Sequence, residues 1–333
     1  MAFKALYTQL FPPAPPMTEK NVPVQNGKVF IVTGGNSGVG FELCRILYTT
    51  GATVYLTSRS QERGMQAIRS ITSATPPPKN PGTLKFLHLD LNDLNSVKSA
   101  ASTFALREPK LHVLWNNAGT GAYRVSQGAR TAQGLEAMVG MHCVATLLFT
   151  TLLIPQLRIA AAEEPSSSNT SARVVWTSSI VTDQGSPVHG INLDTLDTGS
   201  SDRVLNYAVS KAGSWMLSRE MARRYGNEGI VSVAQNPGNV KGGSYEGTPA
   251  ATMWFLNRFV LHAPACGAYT ELYAGLFPDV DNGTYIIPWG RMRPDDECPR
   301  KDIVHAMLPE KDGGLDYGEK LWDWCEEQWK SVV

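Results

Sequence analysis

Short apolar, β-branched runs alternate with longer amphipathic stretches from residue 28 to about residue 240. The first are continuous apolar blocks and the second repeat their apolar positions three and four residues apart, so they predict buried strands and surface-packed helices respectively. Strands are expected over 28–33, 53–58, 84–89, 111–116, 173–178, 231–236 and 284–288, and helices over about 38–50, 61–73, 93–107, 131–158 and 207–226. Such alternation folds as a parallel sheet with helices on both faces. The expected architecture is α/β: one doubly wound domain over 27–333, with a seven-stranded, mostly parallel sheet. Two stretches poor in apolar residues, 73–83 with Pro76-Pro77-Pro78 and 162–172 with Glu163-Glu164-Pro165, fall between a helix and the next strand and read as surface loops. Beyond the sixth strand the pattern loosens. Residues 242–278 read as helical and rich in Trp254, Phe255, Phe259, Leu261 and Tyr269, and 242–333 is expected to be a substrate-covering segment and tail. Residues 1–26, interrupted by Pro12, Pro13, Pro15 and Pro16, are expected to form an extended arm.

Composition narrows the function classes. With 42% hydrophobic and 18% charged residues and 30 basic against 30 acidic, the 333-residue chain carries no electrostatic footprint for nucleic acid. A small, largely apolar molecule is the expected partner. Cys44, Cys143, Cys266, Cys298 and Cys325 have neither metal-ligand nor redox-pair spacing, which suggests reduced thiols in the cytosol and no metal. No leader pattern and no membrane-spanning apolar run is seen, so the acceptor patterns at Asn169 and Asn282 are expected to be chance matches.

The first expected strand runs directly into Thr33-Gly-Gly-Asn-Ser-Gly-Val-Gly40, and a helical period follows. A glycine-rich turn at a helix N-terminus offers backbone N–H groups and the positive end of the helix dipole to a pyrophosphate. Gly34 permits the turn, Gly38 the close approach and Gly40 the helix–strand packing, with Asn36, Ser37 and Val39 completing the cradle. At the end of the second strand, where a carboxylate would grip the ribose hydroxyls of NAD, the chain has Thr57-Ser58-Arg59 instead. Arg59, next to Ser58, suits a 2′-phosphate and hence NADP, through paired charge-assisted hydrogen bonds.

Tyr207 and Lys211 are four residues apart, hence on one face of a helix. A free phenol titrates near about 10, and a nearby ammonium favours its ionised form, fitting it for proton transfer near neutral pH. Upstream, Ser178-Ser179 ends the fifth expected strand, where open α/β sheets build their sites.

Together these motifs resemble the short-chain dehydrogenase/reductase family across about residues 27–241, and the resemblance implies a Rossmann fold and hydride chemistry. It assigns substrate-orienting work to Ser179, proton transfer to Tyr207, and ribose binding with charge support to Lys211. It places Asp90 and Leu91 at the adenine, Asn117 and Gly119 of Asn116-Asn-Ala-Gly119 at the cofactor ribose, and Pro237, Gly238 and Val240 beside the nicotinamide. Gly283-Thr-Tyr-Ile-Ile-Pro-Trp-Gly290 and Trp322-Asp-Trp-Cys-Glu-Glu327 resemble the retinol-dehydrogenase-like fungal branch, with its members in secondary metabolism. The family's catalytic asparagine is replaced by His142, which could join the proton relay and titrate near neutrality or be a packed core histidine. The implied activity is NADP(H)-dependent reduction of a carbonyl or oxidation of a secondary alcohol, with self-association as the family's habit. Non-redox isomerisation, dehydration or cyclisation, and nucleotide sensing without catalysis, are the alternatives.

Overall fold

The computed structural model describes residues 2–163, 172–242 and 250–332. Most of the predicted 162–172 loop, including Asn169, therefore lies outside the described residues, as does Gly243. Among the described residues the strands are β1 Val29–Val32, β2 Thr53–Ser58, β3 Thr83–His88, β4 Val113–Asn116, β5 Ala172–Thr177, β6 Ile230–Gln235, β7 Tyr285–Ile287 and β8 Arg291–Arg293. They form one sheet in the order β3-β2-β1-β4-β5-β6-β7-β8, parallel except for the last pair. Strand order reverses between β1 and β4, and this switch point opens a crevice at the carboxyl ends of the strands.

The chain winds around both faces through α1 Ala2–Leu10, α2 Gly38–Tyr48, α3 Gln61–Thr72, α4 Leu94–Ala105, α5 Ala137–Val139, α6 Thr146–Leu152, α7 Ile154–Glu163, α8 Val181–Gly185, α9 Arg203–Tyr225, α10 Ala250–Phe259, α11 Pro264–Leu276, α12 Lys301–Met307 and α13 Tyr317–Trp329. Side-chain alternation along β1 explains the layering. Val29 and Ile31 enter one core with α4, α6, α9 and α13, whereas Phe30 and Val32 enter the other with α2, α3 and α11. No single helix among the described residues is long and apolar enough to cross a membrane.

Three expectations need correction. Among the described residues the sheet has eight strands, not seven: a three-residue turn with Trp289 (φ 70°) and Gly290 (φ 93°) folds β8 back along β7. The charged Arg-Met-Arg sequence conceals this strand, because Arg293 is buried through a 2.6 Å ion pair with Asp183 rather than through apolar character. The N-terminal arm is not extended throughout, since α1 precedes the prolines that end it. The helix expected over 131–158 begins at Ala137, where the Glu136 carboxylate accepts from the backbone N–H groups of Met138 and Val139. It continues through a π-helical turn, Gly140–Ala145, into α6. In the segment after β6, α11 and α13 also supply core: Leu272 and Ala274 are buried under the sheet, and Leu321 and Cys325 against α9.

Candidate active site

The nucleotide end is a braced pair of turns. The Thr33 hydroxyl donates to the Trp115 carbonyl (3.1 Å) and accepts from the Ala118 N–H (2.8 Å), while Asn117 Nδ2 donates to the Thr33 carbonyl (2.8 Å). Asn117 thus braces the β1 turn against the β4 turn. Gly34 (φ 67°) and Gly38 (φ 59°) adopt the left-handed conformation that favours glycine. A Cβ at Gly40 would sit 2.5 Å from Asn117 Nδ2 and 2.7 Å from the Gly34 carbonyl oxygen, which excludes any side chain there. Ser37 precedes α2 without a side-chain cap bond, so the first-turn N–H groups are not blocked by it. Asn36 is half-buried in the turn, and Val39 packs towards Gly267 of α11. The cradle therefore fits a dinucleotide pyrophosphate.

Ser58 is buried, with its hydroxyl accepting from the Ser60 N–H, whereas Arg59 is exposed and has no hydrogen-bond or ion-pair partner among the described residues. Asp90 is half-buried and accepts from the Asn92 backbone and side chain, and Leu91 packs against the core. On the far side, Gly238 (φ 85°) donates its N–H to Asn236 Oδ1 at 3.0 Å and follows Pro237 in the β6 turn. Val240 forms an isolated bridge with His262, which fixes the turn against the start of α11.

At the catalytic end the two serines divide their work. Ser178 is buried and its hydroxyl donates to the Lys211 carbonyl, making it a structural staple between β5 and α9. Ser179 is half-buried just past the strand end. Lys211 Nζ donates to the Thr177 carbonyl at 2.9 Å and lies 5.7 Å from the Tyr207 ring centroid. Burial pulls the Lys211 amine down to about 8, with Cys143 and Glu271 opposing that shift. A Cβ on Gly119 would lie 3.2 Å from Lys211 Nζ and 3.3 Å from His142 Nε2. The small residue therefore lets the β4 turn, the lysine and the histidine meet.

His142 lies in the π-helical turn with both ring nitrogens committed. The Thr120 N–H donates to Nε2 (3.1 Å), so Nε2 is unprotonated and Nδ1–H donates to Ser210 Oγ (2.8 Å), whose own proton goes to the Tyr207 carbonyl. Burial, with Lys211 adding to it, holds the imidazole well below its ordinary pKa. Desolvation disfavours the imidazolium, which favours the packed core histidine over a group that titrates near neutrality. His142 is a fixed neutral link between the β4 turn and α9, its ring centroid 6.1 Å from that of Tyr207.

Sequence reasoning missed the contribution of α1. Gln9, 3% exposed, accepts from Asn236 Nδ2 at 2.9 Å and donates to Asp183 at 3.3 Å, and the Thr8 carbonyl accepts from Arg291. The end of this helix thereby ties together the segments following β5 and β6 and the β8 strand, beside Ser179 and the β6 turn. No spacing rule links Gln9 to residues more than 170 positions away. Replacing Gln9 with alanine strips buried partners from Asn236 and Asp183, for an expected cost of about 1–3 kcal/mol. Thermal unfolding should register a fall of several degrees, and an unchanged midpoint would mean that α1 does not dock in solution. Among the described residues, no group of three or more His, Cys, Asp or Glu side chains could hold a metal ion.

Comparison with known proteins agrees with this geometry. The short chain dehydrogenase family model matches residues 28–191. The chain is 44% identical to the short-chain dehydrogenase/reductase iacJ of Pestalotiopsis fici over 98% of both chains. It is 36% identical to the short-chain dehydrogenase/reductase pkfC of Emericella nidulans, over 96% of this chain and 98% of that one. Among solved structures, an uncharacterised protein from Mycobacterium paratuberculosis superimposes with a TM-score of 0.65 at 25% identity, covering 94% of this chain and 97% of that one. L-Sorbose reductase from Gluconobacter frateurii, solved with NADPH and L-sorbose, shares the fold with a TM-score of 0.62 at 17% identity, over 81% and 98%. With the nucleotide cradle, the Tyr207–Lys211 pair and full-length relatives in agreement, the chain belongs to the short-chain dehydrogenase/reductase family of NAD(P)(H)-dependent oxidoreductases.

Proposed function

We propose that this enzyme uses NADP(H) to interconvert a carbonyl and a secondary alcohol on a largely apolar small molecule. The observation that carries the reading is the position of Lys211 Nζ, against the cofactor-side turn at Gly119 and hydrogen-bonded to the end of β5 beside Ser179. One ammonium thus serves both halves of the site. When bound, the nicotinamide supplies or accepts the hydride. Ser179 orients the substrate oxygen, Tyr207 gives it a proton in reduction and takes one in oxidation, and Lys211 stabilises the phenolate while holding the ribose. His142, locked neutral, fixes the β4 turn and α9 rather than carrying the proton. Rate enhancement then comes from positioning plus acid–base transfer.

The preference for NADP rests on Arg59, a partnerless exposed guanidinium at a strand end without a carboxylate. Arg59→Ala is expected to weaken NADPH binding about ten- to a hundred-fold, the worth of a charge-assisted pair of hydrogen bonds, and to leave NADH binding nearly unchanged. Fluorescence titration with both cofactors measures this. Equal losses would remove the basis for NADP preference.

The fungal relatives and the motifs around Trp289 and Trp322 support placement in the retinol-dehydrogenase-like branch and in secondary metabolism. The reduced, widely spaced cysteines favour the cytosol, and the family's habit favours a homo-oligomer. The direct test is NADPH consumption with a panel of apolar ketones and aldehydes, together with identification of the alcohol products. Cofactor binding without turnover across such a panel would sink the reductase reading.

A further inference from the structure

Glu271 is a fully buried carboxyl on α11, on the face of the sheet opposite α9. Its Oε1 accepts from the Thr177 hydroxyl (2.8 Å) and from Gln235 Nε2 (2.7 Å), and its backbone carbonyl accepts from Trp115 Nε1 (2.7 Å). Its Oε2 has no hydrogen-bond partner among the described residues although it is shielded from water. Thr177 is also the residue whose carbonyl anchors Lys211. A single residue at the end of β5 therefore receives the lysine through its backbone and offers its side chain to the glutamate. Burying a carboxyl with half its hydrogen-bonding capacity unused is costly, and packing α11 requires only an apolar residue there.

We propose that Glu271 is a positioning residue for Lys211, a buried countercharge reached through Thr177 that keeps the lysine protonated and aimed as the pH rises. The inference rests on the role given to Lys211 in the proposed function. Burial raises the Glu271 carboxyl to about 8, and Lys211, also at about 8, opposes that shift. The two groups form one coupled pair. Burial favours the neutral form of each group, and each favours the charged form of the other. As the pH rises Glu271 releases its proton to solvent, and the resulting carboxylate favours the ammonium of Lys211, delaying loss of the lysine proton. The sign follows directly: the countercharge raises the lysine pKa, so without it the charge is lost at lower pH.

Of the other groups facing the pair, Cys143 also favours the charged lysine, but its own thiol is raised by burial and ionises at higher pH than Glu271. Cys143, beside the lysine, is pushed up to about 12 by burial, and His142 is held neutral. Cys44, on the α2 helix packed along α11, is likewise raised by burial. Tyr207 stands one turn before Lys211, while Gln235 from β6 and Trp115 from β4 contribute uncharged contacts.

The test compares wild type with E271Q, which keeps an acceptor for Thr177 and Gln235 but cannot ionise. NADPH binding by fluorescence and turnover of a reducible ketone are followed from neutral to alkaline pH. The alkaline midpoint is expected to move down by about one pH unit in E271Q. T177V, which removes the hydroxyl favouring the carboxylate, should shift it the same way and carries the test if E271Q does not fold. Midpoints that coincide with wild type in the folded variants would overturn the proposal, since a merely structural carboxyl leaves them in place. Absence of turnover in the wild type would instead count against the reductase reading, and the binding profiles would still decide the role of Glu271.

Discussion

Tyr207→Phe is expected to lower kcat by about a thousand-fold while leaving NADPH affinity within a few-fold of wild type. Removing the phenol oxygen deletes the proton-transfer group, and general acid–base transfer contributes about 10²–10⁴ to rate. The ring should remain seated, because Tyr207 packs against the small cluster of Ala122, Val125, Ala137 and Met138. The Ser210 hydroxyl donates to the Tyr207 backbone carbonyl, a bond that survives the substitution. Loss therefore belongs in kcat and in kcat/KM together, the signature of an interaction made in the transition state. Single-turnover kinetics with saturating NADPH, alongside a fluorescence titration of the cofactor, separates the two quantities. Turnover that persists in Tyr207→Phe without net NADPH oxidation would favour isomerisation, dehydration or cyclisation on the same scaffold, and full NADPH-dependent activity would remove Tyr207 from the chemistry.

How much of this was legible in the sequence depended on whether a contact is local. The strand blocks and the Thr33–Gly40 turn were visible because burial on both faces produces continuous apolar runs and a tight turn demands glycine at fixed spacing. Tyr207 and Lys211 were visible because one helical turn puts them on one face. The environment of His142 was not, since its ring is fixed by Thr120 and Ser210, which are 22 positions before it and 68 after it. Glu271 was equally hidden: in a helix of small and apolar residues a lone glutamate reads as the solvent face, yet it points inward. Polar residues buried by distant partners leave no periodicity, and α1, β8 and Glu271 all share that origin.

The same logic gives the largest expected loss of stability. Asp183 and Arg293 pair at 2.6 Å with side chains only 5% and 3% exposed. The guanidinium lies 4.3 Å from the Tyr285 ring centroid and 5.2 Å from that of Trp215, so aromatic faces cover nitrogens that have no hydrogen-bond partner. Asp183→Ala leaves this cation buried without a countercharge, and breaking a buried pair from one side costs about 3–5 kcal/mol. Its effect extends to the mouth of the site, because Asp183 also accepts from Gln9 and the Tyr285 hydroxyl donates to the Ser179 carbonyl. Asp183→Ala should therefore unfold at markedly lower denaturant concentration than wild type. Asp183→Ala combined with Arg293→Met should recover much of the loss, since an apolar pair removes the stranded charge. Chemical denaturation of the three proteins measures both effects. A double variant no more stable than Asp183→Ala would mean that the β7–β8 hairpin needs the ion pair itself, whereas a single variant as stable as wild type would mean that water reaches Arg293 in solution.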